Sequence, residues 1–167
     1  MRKMIPMILK MAVVLVMLAG LFCSDPARAS EMDFSKAVVI GSGPKTVVEF
    51  TDPDCPYCRT ASKYFDGRPD VTRKVFFYPL PRHPKAKEKV QYALSQQDKA
   101  KAYHEIMSGK LDRAQRIEGI TANGVKLQEE HLEITRKAKI SATPTFIING
   151  RIIEGLDKKR IEEALGR

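Results

Sequence analysis

The chain has 167 residues, with 29 Lys and Arg against 20 Asp and Glu and an apolar fraction of 43%. That balance excludes a mainly disordered polymer, and 3 cysteines are too few for a disulfide scaffold. No apolar run reaches the roughly 18 uninterrupted residues of a membrane span, so one soluble domain is the expected count.

Residues 1–29 stand apart from that domain. Arg2, Lys3 and Lys10 make a basic start, Met11 to Phe22 carries no charge, and Ala27-Arg28-Ala29 has the small-x-small form of a cleavage site. This reads as a secretory signal peptide, with an uncleaved membrane anchor as the competing reading. Cys23 would leave with it, since bulky Phe22 does not fit the small residue that a lipoprotein signal places before its cysteine. Residues 30–167 then form the mature domain. They stay net basic, but Lys and Arg are interspersed with Glu and Asp, which argues for a solvated basic surface and against a nucleic-acid partner.

In chain order, Ala37 to Ile40 and Thr46 to Thr51 read as two strands joined by the turn chemistry of Gly41-Ser42-Gly43-Pro44. Asp54 is the expected N-cap of a helix from about Cys55 to Phe65, with Pro56 in the first turn, where a missing N–H costs nothing. Gly67 to Asp70 breaks that pattern, and Val71 to Tyr78 resumes strand composition. From Pro84 to Lys139 there is almost no strand signal. Ala86, Val90, Ala93 and Leu94 share one helical face, as do Tyr103, Ile106 and Met107 before Gly109, so a helical insertion of two to four helices is expected at about 84–139. Thr145 to Ile148 and Arg151 to Glu154 should pair across an Asn149-Gly150 hairpin. A final helix should be capped by Asp157, with Leu156 packing on Ile161.

The chemistry sits in Cys55-Pro56-Tyr57-Cys58, a Cys-x-x-Cys pair at a strand-to-helix junction. The spacing puts both sulfurs within bonding reach across the first turn, where unpaired N–H groups and the helix dipole favour a thiolate at Cys55. Cys55 would be the nucleophile and Cys58 the resolving thiol of a redox-active pair. A purely structural disulfide is the first competitor, but closing so short a loop constrains the unfolded chain very little. A metal site is the second. The remaining candidate ligands, His83, His104 and His131, are scattered without paired spacing and read as surface or packing residues, although His83 could lie near one edge of the active face. Lys45, Arg59 and Lys63 either help to depress the Cys55 pKa or are ordinary surface charges.

These residues resemble the thioredoxin superfamily, and more closely its exported thiol:disulfide oxidoreductases. Strand 46–51, the Cys-Pro-Tyr-Cys helix, Ala142-Thr143-Pro144 opening a strand, the Asn149-Gly150 hairpin and the last helix match in order. Phe50-Thr51-Asp52-Pro53-Asp54 before Cys55, with Thr143-Pro144, is similar to the catalytic domain of the disulfide isomerase branch, the DsbC and DsbG type. The resemblance implies an α/β thioredoxin-like fold, a central mixed sheet flanked by helices, with the helical insertion between the third strand and the Thr-Pro strand. It also implies a cis Pro144 facing the cysteines, and a shallow substrate-binding surface made by Tyr57, Thr143 and Pro144. Glu49 departs from that branch, whose members tend to be apolar six residues before the first cysteine. It matches instead the acid of thioredoxins, a buried proton acceptor for Cys58 whose pKa an apolar setting would raise; an outward-facing strand glutamate is the alternative.

The implied activity is periplasmic thiol–disulfide exchange of reductase or isomerase type with disulfide-containing or unfolded exported proteins, with no bound cofactor and no metal. A membrane electron donor of the DsbD type is the implied redox partner. The isomerases' separate N-terminal dimerisation domain has no counterpart before the second strand, so a monomer that favours net reduction is expected. An exported copper carrier or a chaperone without redox turnover is the competing class.

Overall fold

A computed structural model describes residues 32–166; the expected signal peptide and Cys23 lie outside the described residues. A 3-10 turn, Phe34–Lys36, leads into a five-stranded sheet made of β1 (Val38–Ile40), β2 (Lys45–Thr51), β3 (Val71–Phe77), β4 (Thr145–Ile148) and β5 (Arg151–Glu154). The helices are α1 (Pro56–Asp66), α2 (Ala86–Ser95), α3 (Lys99–Met107), α4 (Ala122–Lys137) and α5 (Lys158–Ala164). Three helices therefore fill the expected insertion. None of the described helices is long and apolar enough to cross a membrane.

The sheet order is β1-β3-β2-β4-β5. The first two strands are not neighbours, because β3 returns through α1 to lie parallel to β2 and takes the place between them. At that crossing Gly43 passes the start of β3 so closely that a Cβ there would lie 2.0 Å from the Asp70 carbonyl carbon. β4 is antiparallel to β2 and pairs with β5 in the expected hairpin. Asn149 and Gly150 both have positive φ, 49° and 76°, as a two-residue turn matching strand twist requires.

Central strands β2 and β4 are buried on both faces, which explains their nearly continuous apolar composition. On one face Val47, Phe146, Ile148 and Ile153 pack under α1 and α5 through Ala61, Phe65 and Ile161, with partly buried Leu156 joining the same cluster as Ile161. Beside them, Val38, Ile40, Val75 and Phe77 pack under α2 and α3 through Val90, Leu94, Tyr103 and Ile106, and both active-region cysteines belong to that cluster. On the opposite face Val48, Phe50, Phe76 and Ile147 meet Ile134 of α4.

Helix ends follow side-chain chemistry, with one correction. Asp157 caps α5 as expected, accepting from the Arg160 N–H, while Asp98 and Thr121 cap α3 and α4. Asp54 does not cap α1. The N-cap is Cys55, with no side-chain cap bond, and Pro56 occupies the first helical position. Asp54 is drawn away by two cations, Arg59 and Lys89.

Candidate active site

The β2–α1 junction leaves the first N–H groups of α1 open, since Cys55 offers no capping oxygen. Both cysteines are free thiols and buried, while Tyr57 between them is 69% exposed. Cys58 pushes the Cys55 pKa down to about 5 chiefly by donating its thiol hydrogen bond; burial opposes this, and the Cys58 and Tyr57 N–H groups and Thr143 reinforce it. Cys58 moves the other way: burial, and then the hydrogen bond and charge of Cys55, hold it protonated. One sulfur is thus a thiolate at neutral pH and its neighbour a thiol.

Thr143-Pro144 is a cis peptide. It brings the Thr143 carbonyl to 3.5 Å from Cys55 Sγ, so Thr143 and the cysteine pair, 88 residues apart in sequence, meet as the resemblance implies. The Thr143 and Thr51 hydroxyls are buried without a conventional partner. Each acts on a sulfur, Thr143 on Cys55 and Thr51 on Cys58.

Asp52 is the residue that sequence reasoning missed. It is fully buried, its carbonyl accepts the Cys55 N–H at 3.2 Å, and its backbone hydrogen-bonds to the Cys58 thiol. Its carboxylate accepts the Asp54 N–H at 2.7 Å, the Leu80 N–H at 2.7 Å and His83 at 2.8 Å. His83 thereby lies beside the site. Two acids flanking Pro53 directly before the Cys-x-x-Cys pair were the available signal, but nothing in the sequence assigned Asp52 a partner 31 residues away.

Glu49 is buried, with no exposure, which removes the outward-facing alternative. The expected apolar setting is a correction: Glu49 Oε2 lies 3.2 Å from Arg73 and Oε1 accepts from Tyr103 at 3.4 Å. The register of β2 against β3 aligns Val47 with Arg73 and Glu49 with Val75, so Arg73 and Glu49 share a face and the guanidinium spans from Glu49 to Asp66 at 2.8 Å.

The expected cationic neighbours separate. Lys45 pairs with Asp70 at the start of β2, at 3.6 Å, and Lys63 is exposed in the last turn of α1. Arg59 alone stays at the site. It donates to the Pro53 carbonyl at 2.5 Å and to Asp112 at 2.7 Å, and pairs with Asp54 at 3.1 Å. Lys89 of α2, only 2% exposed, closes this cluster by bonding Asp54 and Asp112. His104 is half-exposed, 3.8 Å from Asp66. His131 is a packing residue, buried between the Phe77 N–H at 3.0 Å and the Lys36 carbonyl at 2.8 Å. Among the described residues, no group of three or more His, Cys, Asp and Glu is arranged to hold a metal ion.

Comparison with known proteins agrees with this geometry. The thioredoxin-like domain family matches residues 32–166. The probable thiol:disulfide interchange protein DsbC of Bordetella parapertussis is 27% identical over 144 residues, covering 85% of this chain and 49% of the relative. That of Bordetella pertussis is 26% identical over the same length and shares. The chain therefore spans about half the length of the curated relatives it matches. Among solved structures, a disulfide interchange protein from Neisseria gonorrhoeae superposes with a TM-score of 0.65 at 28% identity, over 81% of this chain and 99% of that one. Proteus mirabilis ScsC in a compact conformation gives 0.64 at 24% identity, over 95% of this chain and 88% of that one, a likeness of fold.

Proposed function

Because the chain belongs to the thioredoxin-like domain family, we propose that it is a periplasmic thiol:disulfide oxidoreductase that works through Cys55 and Cys58. The observation that carries this reading is the opposed pair of thiol environments, with Cys55 lowered and Cys58 raised. The Cys55 thiolate attacks one sulfur of a substrate disulfide. That S–S bond breaks, the other substrate sulfur leaves as a thiolate and takes a proton from water, and a mixed disulfide remains. Cys58 then loses its proton and attacks the Cys55 sulfur, forming the Cys55–Cys58 disulfide and releasing the second substrate thiol. Two electrons pass from the dithiol to the substrate.

Glu49 enters this reading as the buried acid that takes the Cys58 proton from within its pair with Arg73 and Tyr103. Exposed Tyr57, with the buried Thr143 and Pro144 behind the cysteines, would mark the surface against which an extended, disulfide-containing or unfolded exported protein lies. Net reduction is the favoured direction, sustained by a membrane electron donor of the DsbD type, and export rests on the signal-like residues 1–29.

Insulin reduction with dithiothreitol as donor tests the activity. The wild type should accelerate precipitation of the reduced chains, Cys55→Ala should be inactive, and Cys58→Ala should accumulate covalent complexes with substrate. Stoichiometric copper held by both cysteines, with no exchange, would instead support the carrier.

A further inference from the structure

His83 lies outside the Cys-x-x-Cys motif but is joined through a single residue, Asp52, to the Cys55 backbone and the Cys58 thiol. Asp52 Oδ2 receives the Leu80 N–H and Oδ1 the Asp54 N–H, both at 2.7 Å. His83 Nδ1 lies 2.8 Å from Oδ2, and with Asp52 as the carboxylate acceptor the imidazole donates through Nδ1. Nε2 is then the atom that gains or loses a proton. The His83 side chain is 19% exposed while Asp52 is fully buried, so the histidine is the pair's opening to solvent. On the other side, the Asp52 backbone contacts the Cys55 N–H and the Cys58 thiol.

We propose that His83 is a positioning residue for thiol–disulfide exchange: through Asp52 it adds or removes one positive charge behind the cysteine pair, and so makes the thiol–disulfide equilibrium depend on its own protonation. The inference rests on the exchange reading above. An imidazolium at His83 favours a form that carries a thiolate at Cys55 over the disulfide, which carries no charge. By reciprocity, reduction of the pair must favour protonation of His83 by the same factor.

The other charged groups around this pair are known. Arg59 of α1 acts on Asp52, and Asp54 shares its turn. Lys89 of α2 and Asp112 of the α3–α4 loop join through Asp54 and Arg59, and Arg82 and Lys85 flank His83 in its own loop. Asp112 is held down to about 2 by Arg59 and Lys89, and Arg59 is raised by Asp112. Cys55 titrates at about 5, below the interval from pH 5.5 to 8 over which wild type and variant are compared.

The test is an NMR titration of the histidine Cε1–H resonances in reduced and oxidised protein, with His83 assigned by its loss in His83→Asn. The asparagine keeps an N–H donor near Nδ1 but cannot titrate. The His83 midpoint should lie about 0.5 pH unit higher in the reduced protein. That shift equals a roughly threefold change in the glutathione equilibrium constant between pH 5.5 and 8, which His83→Asn should lack. Coincident midpoints, or a variant with the wild-type pH dependence, overturn the proposal while leaving exchange intact. A cysteine pair that never equilibrates with glutathione overturns both readings.

Discussion

Cys55 and Cys58 are the same side chain in opposite states, and the difference lies in what each meets. Cys55 collects hydrogen bonds from Cys58, from two N–H groups at the start of α1 and from Thr143, whereas Cys58 is shut in the core beside a negative neighbour. At pH 6 Cys55 should therefore react with iodoacetamide about ten- to a hundredfold faster than a free thiol, with a midpoint near pH 5, and Cys58 should stay unlabelled; mass spectrometry of the alkylated peptides checks both. If Glu49 accepts the Cys58 proton, Glu49→Gln should slow release of mixed disulfides severalfold and flatten its pH dependence, leaving the Cys55 midpoint in place. An unchanged stopped-flow pH profile would assign Glu49 to the Arg73 pair alone. His131 carries a different consequence. Burial lowers its pKa from 6.5 to about 4, so between those values the unfolded chain binds more protons and stability falls as pH falls. Acidification from pH 7 to 5 should cost about 2 kcal/mol through this group, and urea unfolding of His131→Gln should lack that component.

Among elements, the insertion does more than cover the sheet. α2 brings Lys89, and the loop after α3 brings Asp112, against Arg59 of α1 and the Pro53-Asp54 turn. This ties the inserted helices to the segment directly before Cys55. Lys89→Met leaves Asp54 and Asp112 to share Arg59, and removing one partner from a buried charge cluster is costly because the others remain desolvated. Allowing for the partial exposure of both acids, about 2 kcal/mol of stability should be lost, measured by urea unfolding. Disrupting the exposed pair Arg136–Glu133 should have no measurable effect. α4 packs onto α2 where a Cβ on Gly124 would lie 2.0 Å from Ser95 Oγ; Gly124→Leu should separate the two helices and lower the melting temperature.

At the scale of the whole molecule, the large apolar side chains left exposed are Val39, Tyr57 and Leu132 among the described residues. They belong to β1, α1 and α4, three separate elements, and a few exposed apolar side chains are ordinary on a monomer. Light scattering of residues 30–167 should give a monomer. A concentration-independent dimer or trimer, together with strong refolding of scrambled ribonuclease, would restore the isomerase direction.

Much of the architecture was legible along the chain because it depends on local physics. Strand composition, the Asn149-Gly150 turn, the Asp157 cap and the proline behind Cys55 each act over a few residues, and they place the elements within about one or two positions. The Cys-x-x-Cys spacing likewise located the reactive pair, since one helical turn sets the distance between its sulfurs. The insertion needed only periodicity to be recognised, but its boundaries depended on caps at Asp98 and Thr121 that stand among many similar polar residues. What tertiary structure alone decided are contacts between distant segments. Asp54 was drawn from its expected cap by Lys89, 35 residues away. Glu49 met Arg73 instead of apolar surroundings because a parallel register set them on one face. Asp52 found His83 only where the loop after β3 folds back onto the Asp52 carboxylate. A buried charge must find a partner somewhere, but its sequence neighbours do not say which one, because the choice is made when the sheet and the inserted helices close around it.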